Sequence, residues 1–118
     1  MQQIPSSLTV EQRKTLHVLG YLFLRMGQFQ RAKRIFSALA ALDPEDRWAR
    51  RNLAALAVQE GNGALALQHL QTAMDKEILS SRDTALHLLR AKALWLEKRK
   101  DEARRAVDAF IYMAGRKE

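Results

Sequence analysis

Few residues of this 118-residue sequence have a type and spacing suited to catalysis or metal binding. The histidines, His17, His69 and His87, lack the spacing of two histidines four residues apart with a glutamate beside the first, which is typical of zinc enzymes. Residues 60–64, Glu-Gly-Asn-Gly-Ala, lack the Lys-Ser/Thr pair of a phosphate-binding loop and predict a turn. There is no cysteine, which excludes disulfides and thiolate metal sites. We therefore predict a protein that is not an enzyme and that carries no metal or cofactor.

The charge of the chain is basic, because 20 Lys and Arg face 13 Asp and Glu, for a formal net charge of +7. Such an excess suits nucleic acid, an anionic membrane or an acidic protein partner. The densest group, Lys98–Lys100 with Arg104 and Arg105, is interrupted by two acids and contains no aromatic residue. This pattern favours a solvated surface over a nucleic-acid site. No apolar run approaches the roughly 20 residues that cross a bilayer, so we predict no membrane insertion.

The elements that must position any functional residue are predicted to be helices. The chain has only five glycines and two prolines, fewer than a sheet protein normally uses for its turns. Thr9 and Gln12 form a capping-box pattern, and Asp43 is a suitable cap for a helix that begins at Pro44. The predicted helices run from Thr9 to a stop at Gly27, then over Gln28–Leu42, Pro44–Glu60, Gly63–Lys76, Arg82–Lys98 and Asp101–Ala114.

An internal repeat organises these helices into pairs. The alanines Ala32, Ala66 and Ala103 recur at separations of 34 and 37 residues. The first unit resembles the tetratricopeptide repeat, a 34-residue helix–turn–helix, with Leu16 in place of its leading tryptophan. Small residues allow the two helices to cross closely, and the larger ones fill the space between units. The predicted repeat-packing residues are Leu16, Leu19, Gly20, Phe23, Ala32, Phe36, Pro44, Ala66, Leu70, Ala91, Leu94, Ala103 and Val107.

The fold class predicted from this resemblance is all-α. Three tetratricopeptide-like repeats, at about 13–46, 47–80 and 84–115, would form a short right-handed superhelix with a concave groove. They would make a single domain over residues 9–118. Residues 1–8 lie outside the repeats, and we predict a flexible N-terminal segment there.

The predicted binding site is the concave groove, which in this repeat family is lined by the first helix of each pair. Both tryptophans and one of the two tyrosines fall on this lining. An apolar stripe of that kind is unfavourable when left bare, and Trp and Tyr are frequent hot spots of interfaces. Carried onto this chain, the lining is Lys14, His17, Tyr21 and Leu24, then Trp48, Arg51, Ala55 and Val58, then Ala85, Leu88, Lys92 and Trp95.

The last predicted helix presents an apolar face with no helix after it. Val107, Phe110, Ile111 and Ala114 share this face. Repeat arrays usually need a polar capping helix over their last unit. We therefore expect a partner, or self-association when the partner is absent, to cover part of it.

A closer resemblance is to the type III secretion chaperones of the YscY (SctY) family. It rests on "LHVLGYLFLRMGQFQRAKRIFSALAALDPED" together with "ALALQHL" and "KDEARRAVDAF". The resemblance implies a bacterial cytoplasmic chaperone that holds a small secreted protein of the SctX (YscX) family in its groove as a heterodimer. It also implies contact of the pair with the export gate at the inner membrane.

Other functions are compatible with the same residues. A co-chaperone of the needle subunit would have a similar size. A tetratricopeptide scaffold could bind peptide C-termini through Lys14, Arg51 and Lys92. Nucleic-acid binding through the basic patch would give a steep dependence of affinity on salt.

Overall fold

A computed structural model of the chain describes residues 8–74 and 84–115. These residues form six α-helices and no β-strand, so the all-α prediction is confirmed. The predicted ends at Lys76 and Arg82 and the predicted flexible residues 1–7 lie outside the described residues; Leu8 packs half-buried against the first core. The helices are α1 (Val10–Arg25), α2 (Phe29–Leu42), α3 (Arg47–Gln59), α4 (Gly63–Met74), α5 (Thr84–Leu96) and α6 (Lys100–Gly115).

The start of α1 is the capping box that the sequence predicts. The Gln12 backbone N–H donates to the Thr9 hydroxyl oxygen, and the Thr9 N–H donates to the Gln12 side-chain oxygen, each over 3.0 Å. The two bonds satisfy donors that the first turn of a helix leaves without partners. The start of α1 could therefore be predicted from the local sequence.

The turn inside each hairpin has the same hydrogen-bonded geometry. Gly27 and Gly61 have φ of 77° and 78°, in the left-handed region that glycine adopts without strain. Around Gly27, the N–H of Gln28 donates to the carbonyl of Phe23, and the glycine N–H donates to that of Leu24. Equivalent bonds surround Gly61, and this Schellman arrangement satisfies the last carbonyls of the helix.

The third hairpin makes the same turn without glycine. Lys98 has φ of 62°, its N–H donates to the carbonyl of Trp95, and the N–H of Arg99 donates to that of Leu94. A left-handed conformation at a residue with a side chain costs about 1–2 kcal/mol. The repeat geometry is therefore retained in the third hairpin at a local cost.

The start of α3 differs from the prediction. The helix begins at Arg47, and its cap is Asp46, whose Oδ1 accepts the Ala49 N–H over 3.0 Å. Pro44 occupies a turn in which the Asp46 N–H donates to the Asp43 carbonyl over 2.9 Å. The prediction of Asp43 as cap was wrong because a proline after an aspartate also suits the second position of a β-turn.

The hairpins stack in chain order, with each helix packed on the next and α3 also packed against α5. The helices of the first pair approach each other closely at Gly20, where an added Cβ would lie 2.7 Å from the Phe36 ring. Phe36 is fully buried and belongs to a core that joins α1, α2 and α3. Smaller clusters of alanine and leucine continue this core through α4, α5 and α6.

Most predicted packing residues lie in these cores, with two differences. Leu19 is 41% exposed, whereas Leu53, the matching residue of the second repeat, is 6% exposed. The reason is that Leu53 packs into the stack, whereas no described helix precedes α1. Pro44 is also exposed. Buried are Gly20, Ala32, Phe36, Ala66, Leu70, Ala91, Leu94 and Ala103, and half-buried are Leu16, Phe23 and Val107.

Candidate protein-binding grooves

A large groove, which we call the end groove, lies along α5 and α6 at the last hairpin. Its volume is about 670 Å³, and its floor is mainly apolar. Three cationic side chains, Lys92, Lys100 and Arg104, line it, and no Asp or Glu of residues 8–74 and 84–115 does. The remaining lining residues are Val58, Leu88, Ala91, Trp95, Leu96, Ala103 and Val107.

A second groove, which we call the inner groove, lies between α3 and α5 and has a volume of about 290 Å³. Leu88 and Lys92 line both grooves, so the two form one continuous surface. The inner groove is also lined by Arg51, Asn52, Ala55, Ala85, Leu86 and Leu89.

Both tryptophans are exposed beside this surface, and each lies under a cation. Trp95 is 62% exposed, with the Lys100 ammonium 5.8 Å from its ring centroid. Trp48 is 52% exposed, with the Arg51 guanidinium at 5.5 Å. Cations at this distance attract the ring face, which holds the indoles in position at the surface. The chain therefore presents two oriented aromatic side chains to solvent.

The predicted groove residues separate into three groups. Tyr21, Lys14 and Trp48 are exposed but line neither groove, and Tyr21 accepts a hydrogen bond from Arg25 Nη1 over 2.9 Å. His17 and Leu24 point into the packing between hairpins. The residues that line the end or inner groove are Arg51, Ala55, Val58, Ala85, Leu88, Lys92 and Trp95.

His17 differs from the prediction because a tertiary hydrogen bond holds its ring inside. Its Nε2 donates to Asp46 Oδ2 over 3.0 Å, and its ring lies 6.3 Å from that of Phe36. The same Asp46 carboxylate caps α3, so one side chain links the first and second hairpins. Leu24 is half-buried because it packs against the first core.

Sequence reasoning missed the α6 wall of the end groove, formed by Lys100, Ala103, Arg104 and Val107. The family pattern assigns the binding surface to first helices, and α6 is a second helix. The available signal was the apolar face of the last helix, which includes Val107. That face and the predicted lining meet only when α5 and α6 pack side by side.

Two histidines outside the grooves have perturbed titration. Burial lowers the pKa of His69, and the Arg50 guanidinium, whose Nη1 donates to His69 Nδ1 over 3.2 Å, lowers it further. Burial and Arg90 lower the pKa of His87. In both cases burial favours the neutral form of the imidazole.

Within residues 8–74 and 84–115, no group of three or more His, Asp or Glu side chains could hold a metal ion. No helix in the same ranges has both the length and the hydropathy to span a membrane. The surface of the two grooves is mainly apolar, has two exposed indole rings beside it and is lined by cationic side chains.

Comparison with known proteins finds a partial match to a repeat family. Residues 23–77 match the family model described as tetratricopeptide repeat. The match covers the second helix of the first hairpin and the whole of the second hairpin. No curated protein matches the chain. Together with the six packed helices, the match supports a tetratricopeptide-repeat protein with an all-α helical-repeat fold, which suits a protein-binding scaffold.

Proposed function

We propose that this protein is a chaperone that holds a helical segment of a partner protein in its continuous end and inner grooves. The observation that carries the proposal is the end groove itself, an apolar depression of about 670 Å³ with an exposed tryptophan on its wall. An amphipathic helix lays its apolar face into a hydrophobic groove of this kind. Burial of one indole removes roughly 150–250 Å² from water, which makes Trp95 a strong candidate anchor.

The resemblance to the YscY (SctY) family supports a specific partner. It implies that the bound protein is a small secreted component of the SctX (YscX) type, held as a heterodimer in the bacterial cytoplasm. It further implies delivery to the export gate of a type III secretion apparatus, where the complex would be peripheral to the inner membrane. The basic excess would favour encounter with an acidic partner.

Co-expression tests the proposal. The full chain is co-expressed with the SctX-like protein of its own organism, and a stoichiometric complex is expected in size-exclusion chromatography with light scattering. Co-expression with the needle subunit tests the alternative of a needle co-chaperone. Recovery of the chain alone in both cases would contradict a secretion-chaperone function.

Tryptophan variants locate the binding surface. Trp95→Ala is expected to weaken the complex about tenfold or more, because hot-spot truncations cost about 2 kcal/mol or more. Trp48→Ala tests whether the partner also covers the surface beside the inner groove. Met26→Ala is the control, since this apolar side chain is also exposed but lies at the end of α1. Equal affinity of Trp95→Ala and Met26→Ala would contradict the groove assignment.

A second candidate is a scaffold that binds peptide C-termini. The observation in its favour is that Arg51 and Lys92 both line the inner groove. Such binding requires a free carboxylate on the ligand. An amidated partner peptide should then lose affinity, whereas helix-in-groove binding is unaffected by amidation.

A further inference from the structure

We infer that the end groove binds a helix. This helix would pack on α5 and α6 in the way that α5 packs on α3 and α4. It would carry two carboxylates one turn apart, beside its apolar stripe. The inference rests on the proposed protein-binding function and specifies the chemistry of the bound segment. It commits to a separate partner protein with an acidic amphipathic helix.

The second hairpin shows how such a face is covered within the chain. Gly63 at the start of α4 lies so close to α5 that an added Cβ would be 2.6 Å from the Ala93 carbonyl oxygen. One turn later, Leu67 packs against the buried cluster that α5 and α6 form. The covering helix therefore meets a glycine and a leucine at this edge of α4.

The third hairpin has cations at the matching edge of α6. With the 37-residue spacing of Ala66 and Ala103, Gly63 corresponds to Lys100 and Leu67 corresponds to Arg104. Both cations line the end groove, and both are exposed. A helix that covers α6 as α5 covers α4 would meet two positive charges where α5 meets two uncharged residues. Carboxylates on that helix would replace the hydration that the two cations lose on burial, which the Trp95 ring beside Lys100 replaces only in part.

Spacing on α6 fixes the spacing on the bound helix. Lys100 and Arg104 are four residues apart and so lie on the same face of α6, one turn from each other. Carboxylates at i and i+3 or i+4 of an apposed helix would reach both. Ala103 and Val107 also line the groove, which favours modest apolar residues on the facing stripe.

Helix α1 of a second copy of this chain is a poor occupant on charge grounds. The apolar stripe exposed on its own α1 comprises Val18, Leu22 and Met26 at the helix end. That helix carries Arg13, Lys14 and Arg25 against a single acid, Glu11. Docking it on the end groove would bring like charges together, which is unfavourable.

A pair of synthetic peptides tests the inference with the full chain. The first is a fluorescein-labelled helix of about 18 residues with an Ala/Leu stripe flanked by glutamates; the second has lysine for every glutamate. Fluorescence anisotropy should show the acidic peptide binding at least about tenfold tighter, with affinity that falls as salt is raised.

Charge-reversal variants test whether the preference for the acidic peptide depends on Lys100 and Arg104. The double variant Lys100→Glu with Arg104→Glu should bind the acidic peptide at least about tenfold more weakly and should gain affinity for the basic one. The control, Arg34→Glu with Arg105→Glu, changes the net charge equally at exposed positions outside the groove lining and should keep the preference for the acidic peptide. Circular dichroism verifies that both variants are folded.

Three results would overturn the inference. The first is equal affinity for the two peptides, and the second is an equal response of the two double variants. The third is a homodimer in light scattering that the groove variant alone dissociates, together with no binding of the acidic peptide, which would identify a second copy as the occupant. In another outcome, the SctX-like protein fails to co-purify while the acidic peptide binds tightly and loses affinity in the Lys100→Glu, Arg104→Glu variant. That result would contradict only the named secretion partner.

Discussion

The second and third hairpins are built alike inside and differ on their outer faces. In the second, Leu70 is 1% exposed and Gly63 touches α5. In the third, the matching residues are Val107, which is half-buried and lines the end groove, and Lys100, which is exposed. The hairpin turn is also the same, except that Lys98 replaces the glycine.

This difference shows what a neighbouring hairpin contributes. The two helices of a hairpin make their own backbone hydrogen bonds and pack on each other, but their outer face is buried only when another helix packs over it. The third hairpin therefore keeps the repeat geometry and leaves open the surface that the second has covered. The end groove lies on the face of the third hairpin that corresponds to the covered face of the second.

The largest expected effect is on the covered face. Leu70→Ala should lower the free energy of unfolding by about 2–5 kcal/mol, because it opens a cavity between Ala54 and Leu86. Val107→Ala, at the matching position of the open face, should cost about 1 kcal/mol, since water already reaches that side chain. Urea denaturation of both variants measures the two values. Equal losses would show that the two faces are equally covered.

The close approach at Gly63 should be the next most sensitive point. Gly63→Ala should cost about 1–3 kcal/mol, because its Cβ would be forced against the backbone of α5. In an open helix the same change would instead stabilise by up to about 1 kcal/mol. Lys100→Ala, the matched control, should stay within about 0.5 kcal/mol of the parent protein. Thermal melting that ranks Gly63→Ala above the parent would disprove the close contact.

A smaller gain is expected at the third turn. Lys98→Gly should raise the free energy of unfolding by about 1 kcal/mol, since glycine adopts the left-handed conformation without a side-chain clash. Gly61→Lys should lose a similar amount in the second hairpin. Differential scanning calorimetry of the pair checks both signs, and a loss of stability in Lys98→Gly would mean that the lysine side chain contributes more than its strain costs.

The smallest expected effect is the pH dependence from His69 in the second hairpin. Its folded pKa is below the ordinary value of 6.5, so the unfolded chain binds the proton more readily. The stability it contributes is present above pH 6.5 and is lost as the pH falls through the lower folded pKa. His69→Gln should therefore flatten the change in stability between pH 7.5 and 5.5. Urea titrations at the two pH values measure it, and an unchanged slope would contradict the assignment.

Local physics explains why much of the fold could be predicted. The capping box at Thr9 and Gln12, and the turns at Gly27 and Gly61, depend on residues within one or two turns of each other. The alanine spacing predicted the hairpins because only small side chains fit at helix crossings, and Ala32 and Ala66 are buried there. These signals need no knowledge of distant contacts.

The errors came from contacts between hairpins. His17 was expected in the groove, but Asp46, remote in sequence, holds its ring inside. Leu19 was expected in the core, but no described helix covers it. Pro44 suited both a helix start and a turn, and the cap at Asp46 decided between them.

The sequence by itself determined the helices, their pairing and the residue types at each crossing, because hydrogen bonding within a turn and side-chain size act over short distances. Only the tertiary structure decided which apolar residues meet water. Burial depends on whether another helix packs over a face, and α5 covers α3–α4 while no described helix covers α5–α6. The packing of α5 beside α6 brings Trp95, Lys100 and Arg104 to one groove, and that asymmetry leaves them exposed there.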